Sequence, residues 1–247
     1  MQAPPNLLGI DIGNTRAKAA VYSDGQLLAY GCGEELTLPL LMEWKGRFGL
    51  RHAMLSAVAE NAALSPAALE QLFTMHYPSP ASLPHIRLRY QTPQTLGADR
   101  LACMAGAAAM YPGRNVLVLQ CGTCLTSDLL TSDGVYAGGG IAPGLQLRFK
   151  ALHAFTSRLP LVEADTAVPL AGDSTKASIQ AGVWHGYLSE CEGLIQKYQA
   201  VHEDLMVILT GGDASAVKDK LKMCTFAQPN LVLFGLTVML RYDIDKQ

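Results

Sequence analysis

Short apolar runs alternate with turn-forming clusters along this chain, and their order repeats. Leu7 to Ile10 reads as a buried strand running into Asp11-Ile12-Gly13-Asn14-Thr15-Arg16-Ala17-Lys18. Ala17 to Tyr22 predicts the return strand, Ser23-Asp24-Gly25 a turn, and Gln26 to Tyr30 a third strand. Leu36 to Phe48 has helical character, and His52 to Val58 predicts a further strand. Ser65 followed by Pro66 predicts a helix start, with Ser as N-cap and Pro at the first helical position. The prolines between Tyr77 and Pro84 predict a loop. Gly97 to Met110, rich in Ala, Leu and Met, predicts a buried helix ended by Pro112-Gly113.

The pattern then starts again. Asn115 to Leu119 is an apolar strand running into Gln120-Cys121-Gly122-Thr123. Leu125 to Leu130 predicts its return strand, Ser132-Asp133-Gly134 a turn, and Val135 to Ala137 a strand entering Gly138-Gly139-Gly140. Helices are predicted over Leu145 to Phe155 and Ser174 to Gln199, and Met206 to Thr210 is a strand entering Gly211-Gly212-Asp213. Strand, Gly-Thr turn, strand, Asp-Gly turn, strand occurs twice. This order fits a two-lobed α/β protein of duplicated halves with nucleotide between them. Its lobes are expected at residues 1–113 and 114–247.

Composition narrows the class. Charged residues make up 16% of the 247 residues, against about 25% in ordinary globular proteins. So little charge hints at a subunit interface. The net charge is −2 and no basic run occurs, which argues against nucleic acid as a partner. Asn230 to Leu240 is apolar but too short to span a bilayer. Met1 to Pro5 carries no basic segment ahead of an apolar one, so no signal peptide and no membrane partner are expected. Six scattered cysteines in a chain of this size predict a reduced, cytoplasmic protein.

The Asp11–Lys18 segment holds the most chemistry. Gly13 lets backbone approach a ligand, and successive amides in such a turn form an anion-binding concavity. Thr15 adds a hydroxyl, Asp11 a carboxylate suited to Mg²⁺, and Lys18 a point charge for phosphate. The same residues also suit a plain hairpin turn. Asp99 beside Arg100 could serve as a general base, or could be an N-capping Asp next to a surface Arg.

Taken in order, these pieces resemble a type III pantothenate kinase, a family of the actin, sugar-kinase and Hsp70 superfamily. The resemblance runs through Asp11-x-Gly-Asn-Thr15 with Lys18, Tyr90, Gly97-Ala98-Asp99-Arg100, Gly122-Thr123, Gly138 to Gly144, Leu159-Pro160, Thr175 with Gly182, Gly211-Gly212-Asp213 and Pro229-Asn230-Leu231. It implies a two-lobed actin-like ATPase (ribonuclease H-like) fold with duplicated mixed-sheet domains and flanking helices. It implies transfer of the ATP γ-phosphate to pantothenate, the first step of coenzyme A synthesis.

By the same resemblance ATP and Mg²⁺ are held by Asp11, Ile12, Gly13, Asn14, Thr15, Arg16, Ala17, Lys18 and Thr123, with Gly211 and Gly212 near the adenosine. Pantothenate is held by Tyr90, Gly97, Ala98, Asp99, Arg100 and Thr175, with Asp99 as base. Family members are homodimers that share the acceptor site between subunits. They usually carry, just before the x-Gly-Thr turn, an aspartate that binds a monovalent cation, K⁺ or NH₄⁺. Here that position is Gln120. A catalytically weak relative serving as an accessory factor for transcription, and a kinase for another acceptor, are the competing functions.

Cys121 and Cys124 have Cys-x-x-Cys spacing, but between strands and without a second pair they read as small apolar fillers. His52, His153 and His185 show no metal-ligand spacing.

Overall fold

The computed structural model describes residues 5–59, 61–221 and 226–246. The chain divides into two compact units. One comprises Met1–Pro112, Gly134–Tyr136 and Asn230–Gln247, and the other Gly113–Asp133 and Ala137–Pro229.

The first unit opens with β1 (Leu7–Ile12), β2 (Ala17–Ser23) and β3 (Gln26–Cys32), a meander in which each strand is antiparallel to the next. Helix α1 spans Leu38–Phe48. It begins two residues later than the apolar pattern predicts, because the Thr37 side chain accepts a hydrogen bond from the Leu40 amide and caps it. Gly49, left-handed with φ 64°, ends it. Then come β4 (His52–Ala57), α2 (Pro66–Glu70), β5 (Thr74–His76), β6 (Arg87–Leu88) and α3 (Ala98–Met110). Ser65 caps α2 with Pro66 at the first helical position, as expected.

The second unit contains β7 (Val116–Cys121), β8 (Cys124–Leu130) and most of β9 (Val135–Pro143). These are followed by α4 (Leu145–Ala154), α5 (Thr175–Gln199), β10 (Met206–Thr210), α6 (Ala214–Lys218) and β11 (Phe226–Ala227). The last helix, α7 (Leu231–Asp245), belongs to the first unit.

The duplication is visible in the sheets. The first has strand order β3-β2-β1-β4-β5, and the second contains β9-β8-β7-β10-β11. In both, a central strand pairs antiparallel with its successor and parallel with a later strand: β1 with β2 and β4, β7 with β8 and β10. The mixed α/β fold with duplicated sheets is the one the sequence predicts.

Each unit has its own core. In the first, Leu8, Ile10 and Ile12 of β1 pack with Ala19 and Val21 of β2 and with Leu41 and Trp44 of α1. On α7, Gly235 lies so close to α3 that a Cβ there would sit 1.7 Å from the Ala102 carbonyl oxygen. In the second, Leu117 and Leu119 of β7 pack with Phe149 of α4, Trp184 and Tyr187 of α5, and Val207 and Leu209 of β10. Full burial of a large apolar side chain such as Phe149 contributes about 1.5–3 kcal/mol. These cores hold the strand ends from which the candidate site residues project. No helix of the described residues is long and apolar enough to cross a membrane.

Candidate active site

In the first unit, Asp11 and Ile12 end β1, and Ala17 and Lys18 begin β2. The Gly13 amide donates to the Arg16 carbonyl at 3.2 Å, closing a tight connection that leaves Asn14, Thr15 and Arg16 exposed at its tip. Locally this is a hairpin, so the plain turn reading describes its backbone geometry. Its chemistry lies in Asp11. Register places Asp11 opposite Lys18 on one side and Ser56 of β4 on the other. Burial raises the pKa of the Asp11 carboxylate; Ser56 opposes the shift, the Asp99 charge adds to it and Lys18 opposes it. Two carboxylates repelling each other beside a lysine are suited to a divalent cation carrying phosphate, because the cation relieves that repulsion.

Asp99 sits in the first turn of α3, where Oδ1 accepts from the Arg100 amide at 2.9 Å. The N-cap position belongs to Gly97, which has no side chain to cap the helix. A Cβ at Gly97 would lie 2.7 Å from Asp99 Oδ1, so the glycine makes room for the carboxylate. Asp99 is therefore not the N-capping residue of the bland alternative, and its neighbour is not a surface arginine: Arg100 is 4% exposed. The Arg100 Nη2 donates to the Tyr136 hydroxyl at 2.8 Å. The guanidinium lies 5.9 Å from the centre of the Tyr90 ring, and the Tyr90 and Tyr136 rings stack at 6.0 Å and 27°. Gly97 and Ala98 are half-buried beside this group. The structure thus gathers Asp11, Asp99, Arg100 and Tyr90 within one unit.

In the second unit, Gly122 and Thr123 connect β7 and β8, with Thr123 exposed. The Gly122 amide donates to the Cys124 carbonyl and the Gly144 amide to the Thr123 carbonyl, both at 3.0 Å. A Cβ at Gly144 would sit 2.0 Å from the Gly122 carbonyl oxygen, so this turn is backed by bare backbone. Gly211 follows β10 with φ 95°, and a Cβ there would lie 2.3 Å from the Cys121 carbonyl oxygen. The Asp213 amide donates to that same oxygen at 3.0 Å. A Cβ on Gly212 would meet nothing within 4 Å, so the turn is open at that position. Burial raises the pKa of Asp213.

Gln120 is half-buried near the end of β7. Its lateral neighbours are Thr126 on β8 and Thr210 on β10. Thr126 Oγ1 donates to the buried Asp128 at 3.2 Å, whereas Thr210 Oγ1 is buried with no hydrogen-bond partner among the described residues. Thr175 opens α5, exposed, and lines a cavity of about 920 Å³ with Pro143, Arg148, Phe155, Leu159 and Gly182. It lies in the second unit, whereas Tyr90 and Gly97–Arg100 lie in the first. Cys121 is buried against Cys191 and Tyr187, and Cys124 is half-buried. No three metal-ligating side chains cluster among the described residues.

Sequence reasoning missed Ser56, Tyr136 and Thr210. Ser56 carried one usable signal: it closes an apolar strand that could pair with β1. Nothing local marks Tyr136, whose partner Arg100 is 36 residues away.

The duplicated mixed sheets, each with a central strand antiparallel to its successor and parallel to a later strand, place the chain in the actin-like ATPase fold class. Solved structures support the fold. A Campylobacter jejuni protein assigned to the Baf family of transcriptional activators superposes with a TM-score of 0.62 at 20% identity, covering 97% of this chain and 100% of that one. A Sinorhizobium meliloti protein described as a 2-dehydro-3-deoxygalactonokinase gives 0.57 at 12% identity, covering 95% and 98%. The type III pantothenate kinase family profile matches residues 7–197. The type III pantothenate kinase of Phocaeicola vulgatus is 40% identical over 238 residues, 95% of this chain and 97% of that protein. The chain belongs to the type III pantothenate kinase family.

Proposed function

We propose that this protein transfers the γ-phosphate of ATP to the primary hydroxyl of pantothenate, giving 4′-phosphopantothenate and ADP in the first step of coenzyme A synthesis. The observation that carries this is the identity of 40% to a named type III pantothenate kinase over 95% of the chain. The hydroxyl oxygen forms a bond to the γ-phosphorus, the bond from that phosphorus to the β,γ-bridging oxygen breaks, and the hydroxyl proton passes to the Asp99 carboxylate. Phosphoryl transfer of this kind needs alignment and charge neutralisation more than covalent help. Mg²⁺, when bound, neutralises the phosphate oxygens.

Asp11 holds the metal–nucleotide complex. Gly13, Asn14, Thr15, Arg16 and Thr123 offer turn amides and hydroxyls to the phosphates, with Ile12 and Ala17 setting the strand ends. Lys18 supplies positive charge, and Gly211 and Gly212 lie by the adenosine. Tyr90, Gly97, Ala98, Arg100 and Thr175 bind pantothenate. A monovalent cation binds beside Gln120, held by neutral oxygens. Two chains form a dimer that completes the acceptor site. Phe155, 89% exposed at the edge of the Thr175 cavity, supports this, because a second copy would cover it. The protein works in the cytoplasm.

ATP consumption measured with and without pantothenate tests the reading. Strict dependence on pantothenate is expected; no turnover, or equal turnover with unrelated alcohols, overturns it. Sedimentation should give about twice 26.4 kDa, and an active monomer contradicts the dimer.

A further inference from the structure

The start of β9 makes a short excursion with a chemical consequence. Gly134–Tyr136 lies in the first unit, although the residues before and after it lie in the second. The excursion is clipped to β6 on both sides. Val135 and Tyr136 pair in parallel with Arg87 and Leu88. The Arg87 amide donates to the Gly134 carbonyl, and the Arg89 amide to the Tyr136 carbonyl, each at 2.9 Å. Tyr90 follows Arg89 directly, so one backbone clip fixes both Tyr90 and Tyr136.

The side chains converge on Arg100. The Tyr136 side chain is fully buried, its hydroxyl accepts from Arg100 Nη2 at 2.8 Å, and its ring stacks on Tyr90. Tyr90 in turn lies 5.9 Å from the Arg100 guanidinium. A phenol is a neutral acceptor. This contact fixes the direction of the guanidinium and, unlike a carboxylate in the same place, adds no opposing charge. A long arginine side chain otherwise loses several rotamers when it meets an anion, and that loss weakens binding. Holding it in place beforehand removes that cost.

We propose that Tyr136 is a positioning residue for the acceptor: it pre-orients Arg100, and through stacking Tyr90, to receive an anionic, hydroxyl-bearing substrate. The inference rests on the acceptor-site assignment of Tyr90 and Arg100.

Tyr136→Phe keeps the ring, and with it the stacking, and removes only the hydroxyl. A hydrogen bond to a charged group is strong enough that its loss should raise the KM for pantothenate about tenfold. The KM for Mg-ATP should stay within about twofold, and the melting temperature should change little. Arg100→Gln should raise the pantothenate KM further. In the Arg100→Gln background, adding Tyr136→Phe should have no further effect on that KM. An unchanged pantothenate KM in Tyr136→Phe, or equal rises in both KM values with a lower melting temperature, overturns the positioning role. Full additivity of the two changes overturns it as well. An unchanged pantothenate KM in Arg100→Gln instead removes the acceptor-site assignment beneath it.

Discussion

Ser56 stands beside Asp11 in the parallel pairing of β1 and β4, with its hydroxyl buried. Among the described residues that hydroxyl makes no well-formed hydrogen bond, yet it lies near enough to the Asp11 carboxylate to favour the ionised form. A buried hydroxyl without a well-formed hydrogen bond is costly, and this one stands next to a carboxylate whose ionised form it favours. Burial and Asp99 both work against that charge.

A carboxyl whose pKa is raised in the fold favours the folded state below its ordinary value of 3.8, and that contribution is lost as pH rises through the folded value. At neutral pH the ionised Asp11 therefore weighs against folding. Asp11→Asn should melt at a higher temperature than the native protein at pH 7, with the difference shrinking as pH falls toward 3.8. The same variant should lose most of its stabilisation by Mg-ATP. Thermal melts across pH, with and without Mg-ATP, measure both effects. A variant that is less stable at pH 7 and still stabilised by nucleotide would contradict the proposed role.

Asp99 is the proposed base, and its substitution tests the chemical step apart from nucleotide binding. Its carboxylate is held in the first turn of α3 beside Gly97, and its charge reaches Asp11. Asp99→Asn should lower the transfer rate by about 10²–10⁴-fold, the usual cost of losing a general base. Affinity for ATP should stay within a few-fold. Near-native turnover by this variant would remove Asp99 from the proton transfer.

Much of this arrangement is legible in the sequence, and the misses share a cause. Ser65-Pro66 marks its helix because capping and fixed φ act locally. The strand predicted at Val135 to Ala137 extends instead to Pro143, through a glycine run that looks like a loop. Those glycines answer to a neighbour: a Cβ at Gly139 would lie 1.8 Å from the Ser127 carbonyl oxygen. The apolar stretch from Asn230 to Leu240 lies mostly in α7, a helix buried on several faces that shows no one-sided periodicity. Arg100 looks like a surface residue until Tyr136 arrives from a distant turn. In each case the deciding partner is remote in sequence, where local propensity carries no information.

Glycine substitutions test how the second Gly-Thr connection is supported. Gly144→Ala places a methyl group where the Gly122 carbonyl oxygen lies 2.0 Å away, so the Gly122-Thr123 turn must shift. ATP affinity should fall at least about tenfold, one 1.4 kcal/mol step, with a lower melting temperature. Gly46→Ala is the contrast. Its new methyl group meets nothing within 4 Å inside α1, and it should add about 0.5–1 kcal/mol of stability. Calorimetric titration and chemical denaturation distinguish the two. Unchanged ATP affinity in Gly144→Ala would show that the turn is not fixed by that contact.

Gln120 bears on the monovalent cation. Thr126 and Thr210 flank it in the sheet, so its lateral neighbours carry neutral oxygens, and the carboxylate behind them is Asp128, which accepts from Thr126 Oγ1 at 3.2 Å. Neutral oxygens can ligate K⁺, a weakly hydrated ion, but they add no charge attraction. In a partly desolvated site that missing charge matters more than it would in water. The native protein should therefore show weak K⁺ dependence, and Gln120→Asp should raise K⁺ affinity by restoring the carboxylate. The same change sets a negative charge beside the buried Thr210 hydroxyl, which gains an acceptor. Initial rates against K⁺ concentration, with Na⁺ holding ionic strength constant, compare the two proteins. The expected result is a shallow response in the native protein and a steeper, saturable one at lower K⁺ in the variant. Steep saturable activation of the native protein, unchanged by Gln120→Asp, would place the cation elsewhere. Turnover by neither protein would favour a role without catalysis.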